Sequence, residues 1–179
     1  NWTGGLPSVG GAGSAIINPG APNVSPIVGT TGQATVADVY LSNTGMGVVN
    51  GGALSVGGSL ITGQWNDCSP IVVSGGLLQV SATLNLGAGG FDGDLAISGG
   101  TVTAASLSIN SGGGARLDIA GSGMFIAPIA NLGNINYWVT NNIIIAHGGE
   151  AGWSVDVDTT TDPNSVMLRA KPATSAAPS

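Results

Sequence analysis

Glycine pairs recur along this chain at a near-constant interval, and that interval constrains the fold more than any other feature. Gly51-Gly52, Gly75-Gly76 and Gly99-Gly100 are spaced by 24 residues each time, and Gly121 with Gly123 follows 22 residues later. Apolar residues sit at matching offsets after each anchor. Leu54, Leu78, Val102 and Met124 lie three residues on, and Val56, Val80, Ala104 and Ile126 lie five on. A second cluster begins at Leu60, Leu84, Leu107 and Ile129, and a third is Ile71/Val73, Leu95/Ile97 and Leu117/Ile119. An earlier unit fits without its glycine pair (Ala34, Val36, Val39, Leu41, Val49), and a later one fits loosely at Ile143 and Ile145.

Each unit therefore reads as three short strands of period-two alternation joined by Gly, Ser and Asn turns. Repeats of this length mean that one unit cannot bury its apolar face alone and must stack on its neighbours. The expected fold is all-β: a short parallel β-helix (β-solenoid) of about five to six coils, three strands per coil, capped at both ends. At a strand spacing of about 4.8 Å the core is roughly 25 Å tall. A sandwich of hairpins is the rival, but it does not explain why the same offsets return.

Composition supports the strand reading and narrows the partners. Of 179 residues, 32 are glycine and only 7% are charged, with a net charge of −6. Ordinary domains carry about 7% glycine and about 25% charged residues. Helix content is expected to be small. With only three Lys and Arg residues, Arg116, Arg169 and Lys171, there are too few cations for nucleic-acid phosphates. No apolar run reaches the ~18 residues of a membrane span. The chain begins Asn1-Trp2-Thr3 without a leader pattern and is read as mature or excised. Low lysine with abundant Gly, Ser, Thr and Asn points to an extracellular or cell-surface setting.

Four segments are expected. Residues 1–28, with Trp2 and several prolines, form an N-terminal cap. Residues 29–146 form the coils, 147–169 a C-terminal capping hairpin, and 170–179 a Pro/Ala/Ser-rich linker or arm.

The stretch Ser74-Gly75-Gly76-Leu77-Leu78-Gln79-Val80 through Leu84-Asn85-Leu86-Gly87 resembles the glycine-rich β-solenoid repeats of secreted bacterial surface proteins. These include autotransporter-type passengers and modules of polysaccharide-degrading enzymes. The opening Asn1-Trp2-Thr3-Gly4-Gly5-Leu6-Pro7 is similar to the entry segment of such repeats. The resemblance covers about residues 1–146. It implies right-handedness and an extracellular setting, and it transfers no catalytic residue.

Few residues have the makings of chemistry. Asp92 and Asp94 flank Gly93 in a corner and are a weak candidate for Ca²⁺ through oxygen ligands; no other cofactor is expected. Asp156 and Asp158 share one face of a strand, and either this pair or Asp92/Asp94 could meet the separation of a glycosidase pair, although spacing alone does not establish this. His147, the single histidine, could be oriented by Glu150. Cys68 reads as a small corner residue rather than a nucleophile.

Aromatic residues give the sharper pattern. The corner between the second and third strands holds Trp65 in one coil, Phe91 in the next and Tyr137-Trp138 two coils later, with Arg116 between. Lined up, these present ring faces to sugars, with Asn66, Asp67 and Asp92 as hydrogen-bonding neighbours. A second candidate surface is the outward row Val72, Ala96 and Ile144, interrupted by Asp118. The first strand presents outward Thr35, Ser55, Gln79, Thr103 and Phe125. The expected function is a non-catalytic extracellular carbohydrate-binding module that recognises a polysaccharide through the aromatic corner. The alternative is a structural or self-assembling surface protein, meeting itself through the coil ends or residues 170–179. A small glycan-active enzyme is third.

Overall fold

The computed structural model describes residues 13–17, 27–30, 32–48 and 50–173. Most of the expected N-terminal cap, Val49 and residues 174–179 lie outside them. The protein is all-β, with 55% of residues in strands and a mixed, unclosed sheet.

The strands stack as three parallel ladders. In the first, β1 (Ala15–Ile17) pairs with β4 (Val39–Leu41), then β7 (Leu60–Thr62), then the long strands β8 (Cys68–Leu86) and β9 (Gly93–Ile109). In the second, β2 (Ile27–Val28) pairs with β5 (Met46–Val48), then β8, β9, β10 (Leu117–Ile119) and β12 (Ile144–Ala146). In the third, β3 (Gln33–Val36) pairs with β6 (Ala53–Val56), β8, β9 and β11 (Met124–Pro128). Strands β8 and β9 are long because each runs through all three ladders, bending at register shifts.

Period-two alternation sends one side chain of each pair inward. Val39/Leu41, Leu60, Leu84/Leu86 and Leu107 stack in the first ladder, and Ile71/Val73, Leu95/Ile97 and Leu117/Ile119 in the second. All are buried in one continuous core. At about 25 cal/mol per Å² of apolar surface removed from water, this core is the main source of stability.

The glycine anchors form a column of their own. Gly51, Gly76, Gly100 and Gly121 all have positive φ, at 80°, 74°, 71° and 54°. They turn the chain from the second ladder into the third, one above another. A side chain there is strained, and its Cβ would strike the backbone of the rung below: Thr30 O at Gly51, Gly76 O at Gly100, Ser98 O at Gly121. Successive passes through this left-handed corner are 25, 24 and 21 residues apart, so the near-constant interval of the glycine pairs is roughly the length of one circuit of the chain.

The register departs from expectation in the last units. Phe125 and Ala127 point inward, at 0% and 2% exposure, whereas Met124 and Ile126 point outward. From Ile97 to Val102 the chain takes five steps, but from Ile119 to Phe125 it takes six, because the turn closed by the Gly123 amide on Ala120 O holds one extra residue. One residue of slip exchanges the faces of a strand. Phe125 is therefore core, not part of the outward row. In β12, Ile144 and Ala146 are the inward residues, set by pairing with Leu117 and Ile119, and the outward row runs Ile27, Gly47, Val72, Ala96, Asp118, Ile145.

Ile129 does not open another strand. A 3₁₀ turn (Ile129–Asn131) leads into α1 (Leu132–Thr140), the one α-helix among the described residues. The buried Asn131 stands in for the missing rung. Its Oδ1 accepts the Leu107 amide at 3.2 Å, and its Nδ2 donates to Ala105 O at 3.3 Å. Among the described residues no helix is long and apolar enough to cross a membrane.

The third ladder ends differently. Strand β14 (Ser165–Pro172) adds to β11 antiparallel, and β13 (Trp153–Asp158) pairs antiparallel with β14. Val166 and Leu168, both fully buried, continue the core. β13 is an edge strand, and it carries Asp156, ion-paired with Lys171 at 2.5 Å, and Asp158. Charge on an edge opposes strand addition by another chain.

Candidate ligand-binding corner

The loops between the first and second ladders stack upon one another, and the aromatic residues ride on them. Residues 63–67 sit between the loop at 42–45 below and the loop at 87–92 above. Below, the Asn43 amide donates to Asp67 O at 3.1 Å, and the Trp65 amide donates to the Ser42 hydroxyl oxygen at 3.3 Å. Above, the Gly89 amide donates to Gly63 O at 2.8 Å, the Cys68 amide to Asp92 O at 3.1 Å, and the Asp92 amide to Asp67 Oδ1 at 3.0 Å.

Two buried side chains lock this stack from inside. Thr62, fully buried, donates its hydroxyl to Gly93 O at 3.0 Å and accepts the Gly87 amide at 3.1 Å. Cys68 Sγ donates to Leu41 O at 2.9 Å and accepts the Gly63 amide at 3.1 Å. Burial pushes the Cys68 thiol pKa up, opposed by the Gly63 amide bond. A protonated, doubly bonded thiol ties loops together; it is not an activated nucleophile. The corner is therefore pre-ordered, which lowers the entropy lost when a ligand binds.

Trp65 is 47% exposed and its ring lies over Tyr40, with centroids 6.2 Å apart and planes 27° apart. Tyr40 escaped the sequence reading. It faces outward on β4 between Ile16 of β1 and Ile61 of β7 in one lateral row. The alternation Val39-Tyr40-Leu41 carried that signal. Asn66 and Asp67 are exposed on the same loop, and Phe91, 38% exposed, and Asp92 are exposed on the next. The structure thus brings Trp65, Asn66, Asp67, Phe91 and Asp92 onto adjacent loops.

Tyr137 and Trp138 part company. Both lie on α1, where consecutive residues point about 100° apart, given 3.6 residues per turn. Tyr137 is 60% exposed, whereas Trp138 is 8% exposed and packs in the core with Ile135. Trp138 is buried and offers no open ring face, so the expectation that it contacts a glycan is corrected.

Asp94 Oδ1 accepts the Arg116 amide at 2.7 Å, and among the described residues no three His, Cys, Asp or Glu side chains gather. Burial raises the Asp94 carboxyl above the usual carboxylate range, the Arg116 amide opposes that, and the Asp92 charge adds to it. The folded state holds this proton more tightly than the unfolded chain, so the group's contribution to stability falls as pH rises through that window. Asp94→Asn keeps an oxygen for the Arg116 amide and removes the charge. It is expected to raise stability at pH 7 by at most about 0.5 kcal/mol after solvent screening. The gain should vanish near pH ~3, where the carboxylate is neutral in both states. Thermal melts at the two pH values check this.

The remaining candidates serve the C-terminal strands. His147, at φ 49°, stacks on Trp153 with centroids 3.8 Å apart, and its Nε2 accepts the Gly121 amide at 3.4 Å. Trp153, not Glu150, sets the ring plane. Asp158 is held well below the usual carboxylate range by the Thr161 hydroxyl first, then by the Thr160 amide and hydroxyl. Asp156 pairs with Lys171. Both carboxylates are engaged in holding the hairpin.

Comparison of the chain with protein-family models, with curated proteins and with solved structures finds no match.

Proposed function

We propose that the three ladders are the faces of a short right-handed β-solenoid, and that this chain is a non-catalytic extracellular carbohydrate-binding module. Under this reading the coils already include Ala15–Ile17 and Ile27–Val28, inside the expected N-terminal cap, and the hairpin that closes the other end runs on through Ala170, Lys171 and Pro172, inside the expected arm. The observation that carries the proposal is Trp65. A large ring is open to solvent on a loop anchored from below, above and inside, with Tyr40 stacked against it. Exposed apolar area of this kind marks a contact surface. Asn66, Asp67 and Asp92 beside it offer hydrogen bonds to hydroxyl groups. The carboxylates there favour a neutral polysaccharide over an acidic one.

A pull-down with a panel of insoluble polysaccharides tests this. Retention by at least one, reversed by the soluble form of the same glycan, is expected. Retention by none contradicts the proposal.

A second reading draws on the outward row of the second ladder. Ile27 is 66% exposed and Val72 39% exposed, with Gly47 between them. An apolar row of this kind supports a self-associating surface protein. Light scattering separates the two readings, since ordered oligomers belong to the second.

A further inference from the structure

The strongest unassigned feature lies away from the aromatic corner. A groove of about 420 Å³ runs where the third ladder turns towards the first, and it is walled at one end by the hairpin turn. Its lining includes Gln79, Ser81, Thr103, Ile126, Pro128 and Asn164, and no lining side chain is charged. Gln79, Thr103 and Ile126 are lateral neighbours on β8, β9 and β11. They present amide, hydroxyl and aliphatic groups in a row at the rung spacing of about 4.8 Å.

The end wall is built to hold its shape. The Asp162 carboxylate accepts the Asn164 amide at 3.0 Å and the Ser165 hydroxyl at 2.6 Å. Asn164 O in turn accepts the Ile129 amide at 2.9 Å, which ties the turn to the ladders. The Asn164 backbone is thus fixed from both sides at the groove's end.

We propose that this groove is a second binding site, for the end of a short neutral oligosaccharide. The groove is open along its length, which suits a ligand that stays partly in solvent. Gln79, Thr103 and Asn164 hydrogen-bond sugar hydroxyls, while Ile126 and Pro128 meet the C–H face of a ring. An anionic sugar would enter without a cation to pair it, losing hydration uncompensated. The hairpin turn at Asn164 and Ser165 stands against a chain terminus, whereas the aromatic corner, on separate loops, meets the side of a chain. The two sites stand or fall independently.

The test is an NMR titration of the side-chain amides with neutral pentasaccharides of β-1,4-, β-1,3- and α-1,4-linked glucose, and with an oligogalacturonate. At least one neutral pentasaccharide should shift the Gln79 and Asn164 amides. Gln79→Ala, at an exposed position that folding does not need, should weaken that binding about tenfold, the loss expected when ligand hydroxyls lose their partner. Trp65→Ala should leave it unchanged, and oligogalacturonate should not bind. The proposal is overturned if no neutral pentasaccharide shifts these amides, if Gln79→Ala binds as well as the parent, or if the anionic oligomer binds equally. Binding lost in Trp65→Ala but kept in Gln79→Ala would return the ligand to the aromatic corner alone.

Discussion

Gly100→Ala is expected to destabilise the protein by about 3–5 kcal/mol, among the largest effects of any single substitution. Two terms add. At φ 71° an L-residue sits in the left-handed region, at a cost of roughly 1–2 kcal/mol. The new Cβ would also lie 2.5 Å from Gly76 O and 2.6 Å from Gly75 C. Those atoms are backbone, fixed by the pairing of β8 with β9, so relief requires a whole rung to move. Two controls separate the terms. Gly90 has φ 85° but nothing within 4 Å of a Cβ, so Gly90→Ala carries the strain alone, about 1–2 kcal/mol. Gly133 lies in α1 with nothing within 4 Å and no positive φ, so Gly133→Ala should stabilise by up to about 1 kcal/mol through helix propensity. Urea unfolding of the three variants gives the order directly. Equal effects at Gly100 and Gly90 would show that the corner column is not close-packed.

Phe125→Ala should cost about 3–5 kcal/mol, the usual range for a fully buried aromatic side chain. Its neighbour Met124 faces outward, near the Arg169 guanidinium, so Met124→Ala should cost less than about 1 kcal/mol. The pair is a register test. Counting from the glycine anchors assigns Met124 to the core, while the pairing of Phe125 with Val102 assigns Phe125. Unfolding midpoints in urea with unchanged slopes would decide, and a larger loss at Met124 would restore the anchor count.

These two predictions also mark where the sequence could and could not be read. Strand positions between Ile71 and Ile119 follow from alternation and the glycine interval, because the passes from Val73 to Leu78 and from Ile97 to Val102 both take five steps. At Gly121-Ser122-Gly123 one residue was added, and nothing in local composition distinguishes a longer turn from a shifted strand. The helix was invisible for another reason. Leu132-Gly133-Asn134-Ile135-Asn136-Tyr137-Trp138 has modest helix propensity, and the helix is held by Ile135 and Trp138 packing into the core and by Asn131 satisfying the end of β9. That helix buries Trp138 and exposes Tyr137, a division that the adjacency of two aromatic residues does not reveal. Around Trp65 the loop order was legible, but its rigidity was not. The Thr62 and Cys68 bonds join residues from different rungs.

The function rests on an open ring at Trp65, and one crossed measurement addresses it: retention on the polysaccharide selected by the panel, alongside thermal melting, for Trp65→Ala and Trp138→Ala. Trp65→Ala should lose retention and keep the parent's melting temperature. Trp138→Ala should melt lower, by about 3–5 kcal/mol of lost stability, yet be retained at temperatures where it is folded. Retention of Trp65→Ala equal to that of the parent protein would contradict the account.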